Sequence, residues 1–369
     1  TTGNNNTAVG KHALLVNTTG GANTAVGYLA LDANTTAGNN TAIGAESLSA
    51  NTTGTQNVAV GSVALDANTT GNNNTAVGYN SLGANQTGAD NTAIGWGSLD
   101  ACTGSNNTAG GANSLGAMTS GGHNTAFGKS AGDAMTTASN NTAFGSHSLG
   151  SNTTAGNNTA VGREAMFSNT TGGSSVAVGY QALRQQTTAN NNTAVGFQAL
   201  YSNTTSNHNT AFGYTALLNT TGDQNTAAGS LALATNTSGR RNVAFGYGAL
   251  SSNTTADNNT ALGRAALTTN STGASNTAVG DSALAVNTTG ERNTAVGMQA
   301  LDANIGANKN TAVGYQSLTA NTTGTHNVAM GDTSLATNTS GSNNVAIGTD
   351  ALAANSTGAQ NTALGEQAL

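Results

Sequence analysis

The chain has 369 residues and a formal net charge of −6 at pH 7, and only 7% of its residues are charged. Because no basic cluster is present, nothing in this composition favours DNA, RNA or an anionic membrane as a partner. The single cysteine, Cys102, excludes an internal disulfide framework and a thiolate metal cage. No apolar run approaches the roughly 20 residues of a membrane-spanning helix, so we expect no membrane insertion in this segment.

A 17-residue unit, close to Asn-Thr-Ala-Val-Gly-Tyr-x-Ala-Leu-x-Ala-Asn-Thr-Thr-Gly-x-x, repeats along the whole chain. Its register mark, Ala-x-Gly, recurs 22 times between Gly10 and Gly365, with two steps of 16 residues. A period this short cannot hold a helix pair or a propeller blade, so each copy is predicted to form one coil of a stack. We therefore predict an all-β fold, a single continuous parallel β-solenoid over residues 1–369, about 105 Å long at roughly 4.8 Å per coil.

The first half of each coil predicts a strand over positions one to four, where Asn6 defines position one. Position two is Thr or Val, position three is Ala, and position four is apolar but varies in size. This pattern is typical of a strand buried on both faces. We expect position four to face the coil interior and the Asn-Ala-Gly face to contact a second copy of the chain. Phe127 at position four and Gly132 at position nine are interpreted as sharing one interior volume.

The second half of the coil begins with an invariant Gly at position five and variable residues at positions six and seven. This pattern predicts an exposed turn in which the Gly adopts a positive φ. Ala or Ser at position eight and Leu at position nine predict a second strand over positions eight to eleven. Asn-Thr-Thr-Gly then predicts a tight turn, and the Asn columns at positions one and twelve are expected to form amide ladders between coils.

The repeat resembles the head repeat of trimeric autotransporter adhesins of the YadA type. Ala42-Ile43-Gly44 followed by Ser47 shows the motif, as does Ala346-Ile347-Gly348 followed by Ala351. Residues 310–318, Asn-Thr-Ala-Val-Gly-Tyr-Gln-Ser-Leu, are also similar to arrays in phage-like tail-fibre proteins of bacteria. The resemblance implies a left-handed parallel β-roll and a homotrimer.

The sequence contains no pattern that indicates catalysis. Its five histidines lie far apart, and none is paired with a second ligand at metal-binding spacing. Coils that differ only at their turns offer no enclosed pocket for a nucleophile. We therefore predict no enzyme activity, no catalytic residue, no metal site and no cofactor.

Position six carries an intermittent aromatic column on the predicted exposed corner. These rings either cover the neighbouring coil or stack on sugar rings at a cell surface. The candidate surface-binding residues are Tyr28, Tyr79, Trp96, Tyr180, Phe197, Tyr214, Tyr247 and Tyr315.

The closing turn also creates Asn-x-Thr triplets, which match the acceptor pattern for N-glycosylation but arise automatically from the turn. The candidate acceptors are Asn17, Asn34, Asn51, Asn68, Asn152 and Asn169, together with their equivalents in other coils.

Three functions fit these predictions. The first is a structural and adhesive extracellular fibre shaft on a cell or virion, a homotrimer whose other partner is a host-cell surface or glycan. The chain begins and ends in mid-repeat, so we expect it to be a segment of a longer fibre. The second is an extracellular filament subunit that self-assembles end to end through open coils. The third is ice binding by a flat Thr ladder, against which the expected burial of the position-two Thr argues.

Overall fold

The computed structural model describes residues 2–369, and this part of the chain is all-β, with 22 parallel strands stacked as a β-solenoid and no helix. The predicted fold class is thereby confirmed. The chain divides into two compact units, Thr1–Thr188 and Ala189–Leu369. Each unit is a stack of coils with the same internal plan. The single continuous domain, the left-handed coil and the homotrimer stay predictions.

Each coil contributes one strand of three residues, which covers positions two to four of the repeat. The strands of the first unit are β1 (Thr7–Val9), β2 (Thr24–Val26), β3 (Thr41–Ile43), β4 (Val58–Val60), β5 (Thr75–Val77), β6 (Thr92–Ile94), β7 (Thr108–Gly110), β8 (Thr125–Phe127), β9 (Thr142–Phe144), β10 (Thr159–Val161) and β11 (Val176–Val178). Those of the second unit are β12 (Thr193–Val195), β13 (Thr210–Phe212), β14 (Thr226–Ala228), β15 (Val243–Phe245), β16 (Thr260–Leu262), β17 (Thr277–Val279), β18 (Thr294–Val296), β19 (Thr311–Val313), β20 (Val328–Met330), β21 (Val345–Ile347) and β22 (Thr362–Leu364).

Within each unit, successive strands pair in parallel and in the register of the repeat. Ala25 of β2 lies opposite Ala42 of β3, and Ala295 of β18 lies opposite Ala312 of β19. Identical positions of neighbouring coils therefore stack directly on one another. Each position of the repeat becomes a column along the unit, and the properties of a column decide whether it lies inside or outside.

The interior of the coils is lined by the invariant positions, which corrects the predicted orientation of the strand. Ala42 at position three, Leu48 at position nine and Asn51 at position twelve are fully buried. Position four points outward instead, and Ile43 is 40% exposed there. The physical reason is that an enclosed column needs nearly constant volume, which Ala supplies, whereas the varying sizes at position four are tolerated only where solvent borders the side chain.

Positions six to eleven form a run of turns, so the predicted second strand is wrong. In one coil Glu46 and Leu48 adopt left-handed φ values of 56° and 51°. Such residues cannot continue a strand, and each costs roughly 1–2 kcal/mol when it is not glycine. Hydrogen bonds between coils offset this cost, since Glu46 N donates to Tyr28 O at 2.8 Å and Leu48 N to Ala64 O at 3.0 Å. Small and apolar residues at positions eight, nine and eleven resemble a strand in the sequence, but the left-handed residues at positions seven and nine turn the chain instead.

The predicted amide ladders are confirmed. At position twelve, Asn51 Nδ2 donates to Asn34 Oδ1 at 3.1 Å and to Gly54 O at 2.9 Å. Asn51 Oδ1 accepts from Asn68 Nδ2 at 2.9 Å. At position one, Asn40 Oδ1 likewise accepts from the backbone N–H of Asn57 at 2.9 Å. Buried polar side chains thus satisfy both one another and the carbonyls of the closing turn.

The position-twelve ladder is interrupted in the first unit by three buried sulfur-containing residues, Cys102, Met118 and Met135. Asn85, in the coil before Cys102, keeps a buried Oδ1 without a hydrogen-bond partner. Leu115 and Met135 together explain the small Gly132, because a Cβ there would lie 2.9 Å from Leu115 Cδ2 and 3.1 Å from Met135 Cε. The expected sharing of volume between Gly132 and Phe127 is therefore wrong, since Phe127 belongs to the outward column at position four.

Candidate functional surfaces

The outer face of the strands carries two columns, position two and position four. Position two is Thr or Val and is mostly half-buried. Position four presents large apolar side chains to solvent. The most exposed of them are Val9, Ile43, Ile94, Phe144 and Val161 in the first unit, and Phe212, Phe245, Leu262, Met330, Ile347 and Leu364 in the second. Each unit therefore has a continuous apolar strip on a hydrogen-bonded sheet.

Size variation along position four is compensated between neighbouring coils. Gly110 lies beside Phe127, and a Cβ on Gly110 would come within 2.5 Å of Phe127 Cδ1. The next ring, Phe144, lies 5.2 Å from Phe127 between ring centroids. In the second unit the small Ala228 is paired with Phe212 on one side and Phe245 on the other. Large rings cover the gaps left by small residues, which keeps the outer face filled.

The structure places all eight aromatic candidates of position six on an exposed corner, as predicted. Their exposed fractions range from 38% for Tyr180 to 59% for Tyr247. Phe197 and Tyr214 stack on each other, with centroids 5.2 Å apart and planes 9° apart. Arg163 lies over the Tyr180 ring at 6.0 Å. Some of these rings therefore cover neighbouring coils while one face or edge stays open to solvent.

The six candidate glycosylation sites occupy the position-twelve ladder inside the coils. Asn17 is 6% exposed, and the other five are fully buried. Their side-chain nitrogens donate to turn carbonyls; that of Asn152, for example, donates to Ala155 O at 3.0 Å. A glycan on any of these nitrogens would have to break the ladder, so the folded coil does not present them for modification.

Titratable groups are few and scattered. Burial raises the pKa of Asp66, Asp100 and Asp302, which all occupy position ten. Hydrogen bonds from Gln181 and Arg184 lower the pKa of Glu164. Across residues 2–369, no three His, Cys, Asp or Glu side chains come together in a group that could hold a metal ion.

Burial raises the pKa of the Cys102 thiol from its ordinary value of 9.0 to about 11. A thiol of this kind is protonated at neutral pH and enclosed by the coil, which makes it a structural residue. In the part of the chain that the structure describes, no helix is long and apolar enough to cross a membrane. Compared with protein-family models and with curated proteins, the chain gives no match.

Proposed function

We propose that this chain is a shaft segment of an extracellular attachment fibre, on a cell or virion surface, in which copies associate as a homotrimer through their outer strand faces. The observation that supports this is the exposed apolar strip at position four. An apolar surface of this kind is costly to leave in water and is typical of an interaction site.

A second copy of the chain is the partner that fits the strip. Its large and small residues follow one another at the spacing of stacked parallel strands, roughly 4.8 Å. Another solenoid in parallel register repeats that spacing along its full length, whereas a globular partner would match only a few coils. The resemblance to trimeric adhesin heads favours three copies.

The attachment surface in this proposal is the variable corner at positions six and seven. Aromatic rings such as Trp96 and Tyr247 are more than half exposed there. Weak contacts repeated along many coils, and again in each copy, would add up to firm attachment without a single deep site. A host-cell surface or glycan is the partner that such shallow aromatic contacts suit.

Ice binding is the second candidate. The sequence argued against it because the Thr at position two was expected to be buried, but the outward orientation of position two favours it. The Thr column lies on the solvent side of the strands, beside position four. The two functions require the same face, because a trimer would cover it and an ice-binding monomer would leave it open. Measuring the thermal hysteresis of the protein as purified separates them: hysteresis in a monomer supports ice binding.

Light scattering tests the proposed assembly. The wild-type chain is expected to have three times the mass of the 35.9 kDa monomer. Ile43→Lys combined with Ile94→Lys places charge on the strip and is expected to lower the mass. The matched control, Tyr79→Lys with Trp96→Lys at the outer corner, should leave the trimer intact. A wild-type mass of one chain at all concentrations would rule out the homotrimer.

A further inference from the structure

The second unit has a polar recess of about 260 Å³ at positions sixteen and seventeen of three successive coils. It is lined by Asn207, His208, Asp223, Gln224, Arg240 and Arg241. The middle coil, residues 209–224, is one of the two coils with 16 residues and lacks one residue of the closing turn. The recess thus lies where a shortened turn is flanked by two turns of full length.

Where position sixteen is Asp, Asn or Ser, its side chain accepts a hydrogen bond from the backbone of the preceding coil, whereas the Gly or Ala of eight other coils accepts none. Asn207 N donates to Asp223 Oδ1 at 2.8 Å, and Arg240 N donates to Asp257 Oδ1 at 2.7 Å. Ser is an equivalent acceptor elsewhere, since Thr325 N donates to Ser342 Oγ at 3.0 Å. Asp, Asn and Ser at this position therefore form a third ladder on the coil surface.

Arg240 breaks this ladder, because a guanidinium cannot accept a hydrogen bond. The backbone N–H of Asp223, which faces the coil of Arg240, consequently has no partner within the protein. Arg240 is the only cationic residue at position sixteen in the chain. The gap in the ladder thus combines an unpaired N–H donor with a positive charge.

The neighbouring carboxylates of Asp223 and Asp257 do not pair with the Arg240 guanidinium, which can therefore bind a ligand. Asp223 already accepts from Asn207, and Asp257 accepts from the Arg240 backbone. Arg241 Nη2 lies 3.9 Å from Asp257 Oδ2, so its charge is partly balanced. No ion pair involves the Arg240 side chain, and Arg240 is exposed.

We propose that this recess binds the carboxylate of an acidic saccharide. One carboxylate oxygen takes the place of the missing position-sixteen side chain and accepts from the Asp223 N–H. The other accepts from the Arg240 guanidinium, whose planar donors suit a carboxylate. The side chains of Asn207, Gln224 and His208 provide donors and acceptors for sugar hydroxyls, and the size of the recess suits one sugar residue.

A polysaccharide is favoured over a nucleic acid because the chain carries a net charge of −6 and has no extended basic surface for a phosphate backbone. The inference rests on the proposed attachment role, in which a surface glycan is the source of the acidic sugar.

Calorimetric titration of the whole chain with trigalacturonate tests the site, with the fully methyl-esterified trisaccharide and inorganic sulfate as comparison ligands. The acid is expected to bind and the ester to bind at least about tenfold more weakly, because the ester lacks the charge. Equal binding of acid and ester would overturn the proposal, as would binding of sulfate without binding of trigalacturonate.

Arg240→Ser removes the charge and supplies the acceptor that Ser342 provides in its own coil, so this variant should fold and close the gap. It is expected to bind trigalacturonate at least about tenfold more weakly than the wild type. Arg292→Ser, at position seventeen of another coil, is the matched control and should bind like the wild type. Unchanged binding by Arg240→Ser would refute the site. Loss of the trimer mass would instead count against the proposed fibre.

Discussion

Asparagine side chains fill interior positions of the coils in both units. Asn34, Asn51 and Asn68 form one continuous series of amide hydrogen bonds, and each also binds a turn carbonyl. The sequence predicted these ladders because Asn recurs at positions one and twelve in most coils. The predicted inside face of the strand was wrong, since alternation along a strand leaves two choices and both faces of this one lack charge.

Asn51→Ala tests the ladder. The substitution removes the donor to Asn34 Oδ1 and the acceptor of Asn68 Nδ2, and it leaves Gly54 O with Asn40 Nδ2 as its side-chain donor. We therefore expect the free energy of unfolding to fall by about 2–4 kcal/mol. Urea denaturation measures the change. Thr53→Ala, at an exposed position of the same turn, should change the stability by less than about 0.5 kcal/mol. Equal effects of the two substitutions would show that the amide bonds contribute little.

Cys102 predicts a specific loss of stability in alkali. Burial raises the thiol pKa from 9.0 to about 11, so the folded chain holds this proton more tightly than the unfolded chain. The contribution is complete below pH 9 and is lost as the pH rises from about 9 to about 11, amounting to roughly 3 kcal/mol.

The measurement compares urea denaturation of the wild type and Cys102→Ala between pH 8 and pH 11. The difference between the two proteins isolates the thiol, because every other side chain is the same in both. The wild type should lose more stability across this range. Parallel pH profiles would mean that the thiol is not buried as described.

At the scale of the element, each coil is one short strand followed by a long series of turns. The invariant Gly at position five was predicted to take a positive φ, and Gly44 has a φ of 138°. The turn at positions six and seven was predicted, but positions eight to eleven were predicted as a strand, because Leu48 adopts a left-handed conformation without a glycine to signal it. The outward position of Phe127 was missed because its neighbour Gly110 lies in the adjacent coil, far away in sequence.

Gly44→Ala and Gly248→Ala separate two costs of replacing glycine. Both residues have positive φ, 138° and 64°, but a Cβ on Gly44 would collide with the Gly61 carbonyl, whereas no atom lies within 4 Å of a Cβ on Gly248. We expect Gly44→Ala to reduce the free energy of unfolding by about 3 kcal/mol or more. Gly248→Ala should cost only about 1–2 kcal/mol, the cost of the dihedral angle alone.

Thermal unfolding followed by circular dichroism gives both values. If Gly248→Ala proved as destabilising as Gly44→Ala, the close approach of successive coils at position five would not be the reason for the invariant glycine.

At the scale of the whole molecule, the repeat decides which residue types line each column of stacked positions. Individual sites arise only where a coil departs from the repeat. The parallel stack followed from the sequence because only a coil can repeat every 17 residues in one register. The recess around Arg240 could not be predicted, since it depends on a missing residue in one coil and an absent acceptor in the next. The apolar strip at position four recurs in both units, and its burial between copies is the central claim of the proposed fibre.

Disulfide cross-linking tests this claim most directly, in a Cys102→Ala background that removes the only native thiol. Ile94 lies on the strip and Trp96 on the outer corner of the same coil, and both are about half exposed in the single chain. Oxidation of Ile94→Cys should give covalently linked chains on a non-reducing gel, while Trp96→Cys should remain a single chain. Cross-linking through Trp96→Cys and none through Ile94→Cys would contradict the account.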